Sequence, residues 1–405
     1  MIRALLLLIT VVLVVACDDS SSPSGDSPRC DPDASPTVLA SKYDDDDGDG
    51  NPLDEDFPDI DDEDDDIADH AWIRDRFGVY HLFFHSESLY HPNQIEHYTT
   101  RDFRSLDYVG VALTVAPGGW DGDALWAPHV VEHDRIYYMF YTGVAGSNGP
   151  DAVQRIGLAT STNLITWTRA PINRCPGTSG DGCVYECDEA WTTWGDGGAF
   201  DDQCRDPFVM WDDASERWLM FVTAKSTNGF GVVTVASADE FSTWSGGGFI
   251  DATRRLATGT GGQTTGGQAE NPFVVETDDT YYLLFSDWQD IEDSVTVAPH
   301  RTVVQYATSP SLAVDDVGSA DWIYRGYTPD PGVNAIEVIE FRRGSGRRWL
   351  MSQSISSPRS GFPKPQRRQL LVRCANFEND LIETSNWGVV PDGTGVTAVD
   401  LTTSD

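Results

Sequence analysis

Positive charge is scarce in this chain: 27 Lys and Arg stand against 65 Asp and Glu, for a formal net charge of -38. A nucleic-acid backbone is held by clustered Lys and Arg, so no nucleic-acid partner is expected. Helical periodicity is missing as well, which takes away the signature of helical bundles and of alternating α/β folds. No paired Cys-x-x-Cys spacing occurs, which counts against a thiolate zinc site. The apolar run from Ala4 to Val15 is too short to span a bilayer comfortably.

That run follows Arg3 and ends in Val14-Val15-Ala16-Cys17, the form of a signal peptide. The ending resembles the lipobox of bacterial lipoproteins, which implies cleavage before Cys17, acylation of its thiol and a lipid anchor in the membrane. An ordinary secretory signal is the alternative. Either places the mature protein outside the cytoplasm, in the lipoprotein case at the bacterial cell envelope. Six cysteines then remain, Cys30, Cys175, Cys183, Cys187, Cys204 and Cys374, and an even number in that compartment reads as disulfides. Four of them crowd one long insertion, where two local bridges are expected, with Cys30 and Cys374 left for a clasp between the chain ends. A zinc site from the four clustered thiols is the competing reading.

The negative charge is concentrated. Between Asp18 and Asp66 stand 20 Asp and Glu against Arg29 and Lys42. Residues 18 to about 43 read as a tether with too little apolar content to fold. Within the acidic run, Asp45, Asp47, Asp49 and Asp56 occupy positions 1, 3, 5 and 12 of a calcium-loop frame, with Gly50 at the sharp turn. A structural calcium loop and a self-repelling spacer are both open there, and no other cofactor is implied.

The rest of the chain repeats one phrase. Arg205-Asp206-Pro207-Phe208-Val209-Met210-Trp211, a polar turn, and Trp218-Leu219-Met220-Phe221-Val222-Thr223 read as a β-hairpin with an acid before its first strand. Copies begin at Ala68-Asp69-His70, Trp126-Ala127-Pro128, Glu270-Asn271-Pro272 and, more loosely, Asn334-Ala335-Ile336. Spacings of about 60 to 80 residues suit a repeat architecture with variable loops. Each copy divides into four strands, so the expected fold is all-β: a five-bladed β-propeller with four antiparallel strands per blade. The expected organisation is residues 1–16 as signal peptide, 17–66 as lipidated Cys, tether and Asp-rich linker, and 67–405 as the propeller. A monomer is expected.

The first strand of every propeller blade lines the central axis. Aligning Pro128, Pro207 and Pro272, with His70 in that slot, makes Asp69, Ala127, Asp206 and Asn271 equivalent and places Glu270 one position earlier. Asp69, Asp206 and Glu270 are therefore expected to converge. An acid in blade one, Arg-Asp-Pro in blade three and Glu before a Pro-Phe-Val strand in blade four resemble the five-bladed glycoside hydrolases of families 43 and 32, over nearly all of Ile67 to Val390. Trp126-Ala127-Pro128 is similar to family 43. The resemblance implies a general base at Asp69, a pKa-modulating and orienting acid at Asp206 and a general acid at Glu270. Inversion follows from the family 43 likeness, and the implied substrates are arabinose-, xylose- or fructose-containing polysaccharides or oligosaccharides.

The chain departs from the pattern in places. His70 follows the blade-one acid where Pro is usual, and His129 stands where family 43 often has an acid. Arg205-Asp206-Pro207 is equally a family 32 signature, yet the Asn-Asp-Pro motif of that family's nucleophile is absent. The chemistry itself asks for one protonated and one ionised carboxyl across a glycosidic bond. Arg205 is placed to hold a substrate hydroxyl or a neighbouring carboxylate. Trp72, Trp126 and Trp288 are candidate walls for sugar faces, and His129 is a candidate for substrate, an axial ion or a structural hydrogen bond. Two other functions compete: a non-catalytic surface carbohydrate-binding lipoprotein, and a sialidase-like propeller. The second is weak, because Ser161 to Trp167 lacks the Asp and Gly of an Asp-box and no arginine triad is evident.

Overall fold

The computed structural model describes residues 37–41, 66–87, 94–101, 106–146, 152–195, 203–254, 268–277, 279–289, 301–312, 321–331, 333–343, 346–356, 368–378 and 381–384. The signal sequence, Cys17, Cys30 and the frame of Asp45, Asp47, Asp49 and Asp56 lie outside them. Among the described residues no helix is long and apolar enough to cross a membrane.

The fold is an all-β propeller. After β1 (Thr37–Ser41), the first blade is β2 (Asp66–Arg74), β3 (Tyr80–Glu87), β4 (Gln94–Thr100) and β5 (Asp107–Thr114). The second is β6 (Ala124–His133), β7 (Ile136–Ala145) and β8 (Val153–Ser161), edged by β9 (Thr168–Arg169) and β10 (Cys183–Tyr185). The third is β11 (Cys204–Asp212), β12 (Arg217–Lys225), β13 (Gly231–Ala238) and β14 (Ser245–Phe249). The fourth is β15 (Glu270–Glu276), β16 (Tyr281–Gln289), β17 (Arg301–Ser309) and β18 (Ile323–Pro331). These four blades are continuous stretches of chain. A further sheet is assembled from β19 (Val333–Arg343), β20 (Gly346–Ser356), β21 (Arg368–Glu378) and β22 (Leu381–Thr384), joined by the distant β1. Within every sheet neighbouring strands run antiparallel, and the first strands touch in sequence: β2 on β6, β6 on β11, β11 on β15, β15 on β19 and β19 on β2.

Two expectations are corrected here. The propeller has four blades, not the five expected: four sheets are contiguous stretches of chain, and the further sheet borrows β1, which pairs Thr37–Ser41 with Gln369–Val372. The residues read as tether therefore contain a strand. Thr-Val-Leu-Ala-Ser is a short β-prone run with an unpaired strand edge to cover. In the second blade the outer position is split, because β9 has only two residues and the insertion supplies β10 against Ile156 and Gly157.

The middle strands read as unbroken apolar runs because neighbouring blades cover both their faces. In β12, Trp218 to Ala224 are all buried, and in β7 Met139 to Val144 are. The core consists of layers between blades. One layer joins the first two blades through Phe83, Ile95, Met139 and Tyr141; another joins the second and third through Phe140, Val209, Met220 and Val222. Phe221, Phe273, Leu284 and Ile336 belong to a layer running from the third blade to the last sheet. Each such buried aromatic or aliphatic side chain contributes about 1.5–3 kcal/mol.

Cys175–Cys183 and Cys187–Cys204 are disulfide-bonded, as the crowding of these residues suggested. All four thiols are consumed, which removes the zinc reading. The second bridge ties the insertion to Cys204, the residue immediately before Arg205.

Candidate active site

The innermost strands share a backbone feature. Asp69, Ala127, Asp206, Asn271 and Ala335 have φ of 36, 42, 56, 50 and 47°, in the left-handed region that side-chain-bearing residues rarely adopt. At each of these positions the pairing with the second strand slips, between Ala68 and His70, Trp126 and His129, Arg205 and Phe208, Glu270 and Phe273, and Asn334 and Ile336. Proline follows in three of the five, and having no N–H it cannot resume the ladder at once. The bulge turns one side chain per strand toward the axis. Residues from all five innermost strands, including Asp69, Ala127, Asp206, Asn271 and Ala335, line one axial pocket.

Asp69 and Asp206 line this pocket, and Glu270 is tied to them from beside it. Asp69 Oδ1 accepts a hydrogen bond from Asn271 Nδ2 at 2.9 Å, and Asp206 Oδ2 accepts the Asn271 backbone N–H at 3.1 Å. Arg205 joins the other side: its Nη2 donates to Glu270 Oε1 at 2.6 Å and to Gln268 Oε1, its Nη1 donates to Gln154 Oε1 at 3.3 Å, and its Nε lies 3.6 Å from Asp206 Oδ2. A chain of contacts thus runs Asp69, Asn271, Asp206, Arg205, Glu270. Asp206 is the deepest, its side chain 5% exposed, while those of Glu270 and Asp69 are 14% and 17% exposed.

Burial dictates the electrostatics. Desolvation raises the Asp206 pKa to about 7; Arg205 opposes the shift, Asp69 and Glu270 reinforce it, and the Asn271 N–H opposes it. Thr223 Oγ1 lies 2.9 Å from Asp206 Oδ2 and 3.1 Å from the Ala269 carbonyl oxygen. Its hydroxyl can donate to the ionised carboxylate, or turn to the carbonyl when Asp206 carries a proton. Burial works against the charge of Arg205, but Glu270, Asp206 and Asp69 more than offset it and raise its pKa.

The other residues singled out in the sequence fall in different places. Trp126 is half-buried in β6 beside Ala127 and packs against Ala124, Val144 and Ala152. Trp72 is buried and donates its indole N–H to Ser352 Oγ at 3.0 Å, so it belongs to the seam with the last sheet and is no sugar wall. His129 is buried below the pocket. Its Nε2 donates to the Val209 carbonyl at 3.1 Å, its Nδ1 is 3.8 Å from Glu337 Oε1, and its ring packs on Phe208. That is the structural alternative, not a place at the mouth. Trp288 lies in β16, with its side chain outside the described residues. No group of three or more His, Cys, Asp or Glu that could hold a metal occurs among the described residues.

Several supporting residues went unread in the sequence. Thr142 Oγ1 accepts the Asp206 N–H at 2.9 Å, and His85 Nδ1 accepts the Ala127 N–H at 3.3 Å. In each case the second strand of one blade holds the bulge of the next. The signal was present: His85, Thr142, Thr223 and Ser286 each end an apolar run such as Tyr138-Met139-Phe140-Tyr141, one polar residue at one recurring position.

A bulged propeller axis with a hydrogen-bonded set of Asp, Asp and Glu holds the kinds of group that cleavage of a glycosidic bond asks for. Residues 64–318 match the glycosyl hydrolases family 43, and with well over half of its length matched the chain belongs to that family and is a glycoside hydrolase. Among solved structures, it is similar to the endo-arabinase from Bacteroides thetaiotaomicron VPI-5482 at 16% identity and a TM-score of 0.56, covering 78% of this chain and 95% of that one. An endo-1,4-beta-xylanase from the same organism shares 16% identity at a TM-score of 0.53, over 80% of this chain and 95% of that one. Sucrose-6-phosphate hydrolase from Lactobacillus gasseri shares 15% identity at a TM-score of 0.54, over 78% of this chain and 60% of that one. At these identities the likeness is one of fold. No curated protein sequence matches the chain.

Proposed function

We propose that this enzyme cleaves glycosidic bonds of an arabinose-, xylose- or fructose-containing polysaccharide with inversion, using Asp69 as general base, Glu270 as general acid and Asp206 as pKa modulator and orienter. The observation that carries the assignment is the linkage of the three carboxyls through Asn271 and Arg205 across three of the innermost strands. In the reaction Asp69 takes a proton from water as its oxygen attacks the anomeric carbon. The bond to the leaving oxygen breaks, and Glu270 delivers its proton to that oxygen. Asp206, buried between the two, supplies negative field and a hydrogen-bonding edge for a ring hydroxyl. Arg205 holds the Glu270 carboxyl, and Gln154 and Gln268 hold Arg205. The enzyme is further proposed to work outside the cytoplasm, anchored through Cys17, a reading supported by the two disulfides.

The test incubates protein from residue 18 onward, wild type beside Glu270→Gln, with arabinan, arabinoxylan, xylan, levan and inulin while released reducing sugar is followed. Release from one polymer by wild type and a loss of about 100-fold or more in the variant is expected. Equal activity of the two proteins would remove Glu270 from the acid role.

A further inference from the structure

Asn271 touches every member of the carboxyl set: it follows Glu270 in the chain, its side-chain amide reaches Asp69 across the axis, and its backbone N–H reaches Asp206. We infer that Asn271 is a positioning residue for the general base, orienting the Asp69 carboxylate and favouring its ionised form through the Nδ2–Oδ1 hydrogen bond. The inference rests on the assignment of Asp69 as base.

Asn suits this position on two grounds. With φ at 50° it occupies the left-handed region, which Asn tolerates better than most side chains. Its amide is also the neutral group that can donate to a carboxylate from there. Gly would keep the backbone and lose the donor. Asp would keep the shape and put a like charge against Asp69. The contact joins residues 202 positions apart in sequence, from the first and fourth blades, so it also fixes how those two strands face one another.

Other groups also face Asp69. His85 Nδ1 from β3 is 3.8 Å from Asp69 Oδ2, but that nitrogen accepts the Ala127 N–H, so in the neutral ring it has no proton to give. Arg205 and Asp206 from β11 act on Asp69 through charge, with opposite signs. Glu270 adjoins Asn271 on β15, and Glu337 from β19 and His70 from β2 line the same pocket. With several carboxyls nearby, a neutral donor on Asp69 favours its ionised form.

The test uses Asn271→Gly, Asn271→Asp, Asp69→Asn and the double variant Asp69→Asn with Asn271→Asp, all in the full propeller. Two readouts are taken: denaturant unfolding from pH 4 to 8, and the pH profile of kcat/KM on whichever polymer wild type degrades. The Asn271→Asp protein is expected to lose stability relative to wild type as pH rises through the carboxylate range. The double variant is expected to recover it, because the Asn now at position 69 can donate to the new carboxylate. The Asn271→Gly protein is expected to fold, with kcat/KM down about 10- to 100-fold and the acid limb moved up by about one pH unit, KM changing little. A stability of Asn271→Asp that ignores pH and ignores Asp69, or an unchanged acid limb in Asn271→Gly, would overturn the inference. If the stability coupling appears but Asp69→Asn remains fully active, the contact stands and the base assignment is what fails.

Discussion

Asp206 pays for its position in stability, and the sign of that cost can be worked out. Burial raises its pKa from 3.8 in the unfolded chain to about 7 in the folded one, against the opposition of Arg205. Between those values the native state binds more protons than the unfolded state, so stability falls as pH rises from about 4 to about 7 and levels off above. An Asp206→Asn variant does not titrate. It is expected to gain on wild type over that same window, by a few kcal/mol at pH 8, while losing most activity. Urea unfolding of both proteins at pH 5 and pH 8 checks this; a stability difference independent of pH contradicts it. At this scale the sequence was partly legible. Arg205-Asp206-Pro207 and Glu270-Asn271-Pro272 could be placed in one register from their prolines, but the Asn271 to Asp69 contact depends on closing a ring that no local pattern describes. The same is true of Arg205, whose two roles stayed open until the Glu270 ion pair was seen.

The working element is the pair formed by a bulged innermost strand and its middle strand. Five non-glycine residues on these strands are in left-handed conformations, at a cost on the order of 1–3 kcal/mol each, and for Ala127, Asp206 and Asn271 a side chain of the preceding blade binds the amide. Thr223 adds a tie of another kind, since its hydroxyl sits between the Asp206 carboxyl of its own blade and the Ala269 carbonyl. Thr223→Val keeps the shape and removes the hydroxyl. It is expected to cost about 1–3 kcal/mol in stability and to lower kcat more than it raises KM. Wild-type kinetics in that variant would deny the hydroxyl any part in holding Asp206. The Cys187–Cys204 bridge anchors the start of β11 across a separation of 17 residues. Replacing both with Ser is expected to cost about 3 kcal/mol under non-reducing conditions, read by thermal unfolding. Hairpins and their order were legible because aromatic and β-branched runs punctuated by polar turns are a local signal. The edge strands were not: β9 and β10 share one position, and β1 is a five-residue run whose partner lies more than 300 positions away.

Across the whole molecule the seam lies between the first blade and the last sheet. His70 Nε2 is 2.6 Å from Ser352 Oγ, which also receives the Trp72 indole N–H at 3.0 Å, and all three residues are buried. Burial lowers the His70 pKa to about 3, so the ring at the seam is neutral near neutral pH. Ser352→Ala leaves two buried groups without that oxygen and is expected to cost about 2 kcal/mol or more, measured by urea unfolding; no change would place ring closure elsewhere. His70 stands where three other innermost strands carry Pro128, Pro207 and Pro272, and the seam gives that departure a physical reason. The propeller class was legible from repeat spacing, whereas the borrowed strand was hidden because composition alone made residues 18 to 43 read as tether.

The most direct measurement compares Glu270→Gln with wild type on two substrates of the same sugar: the polymer found in the panel, and an aryl glycoside whose phenolate leaves without a proton. The variant is expected to lose about 100-fold or more on the polymer and to keep most of its kcat on the aryl glycoside. An equal loss on both would mean that Glu270 does not protonate the leaving oxygen, and that the three carboxyls do not divide the work as assigned.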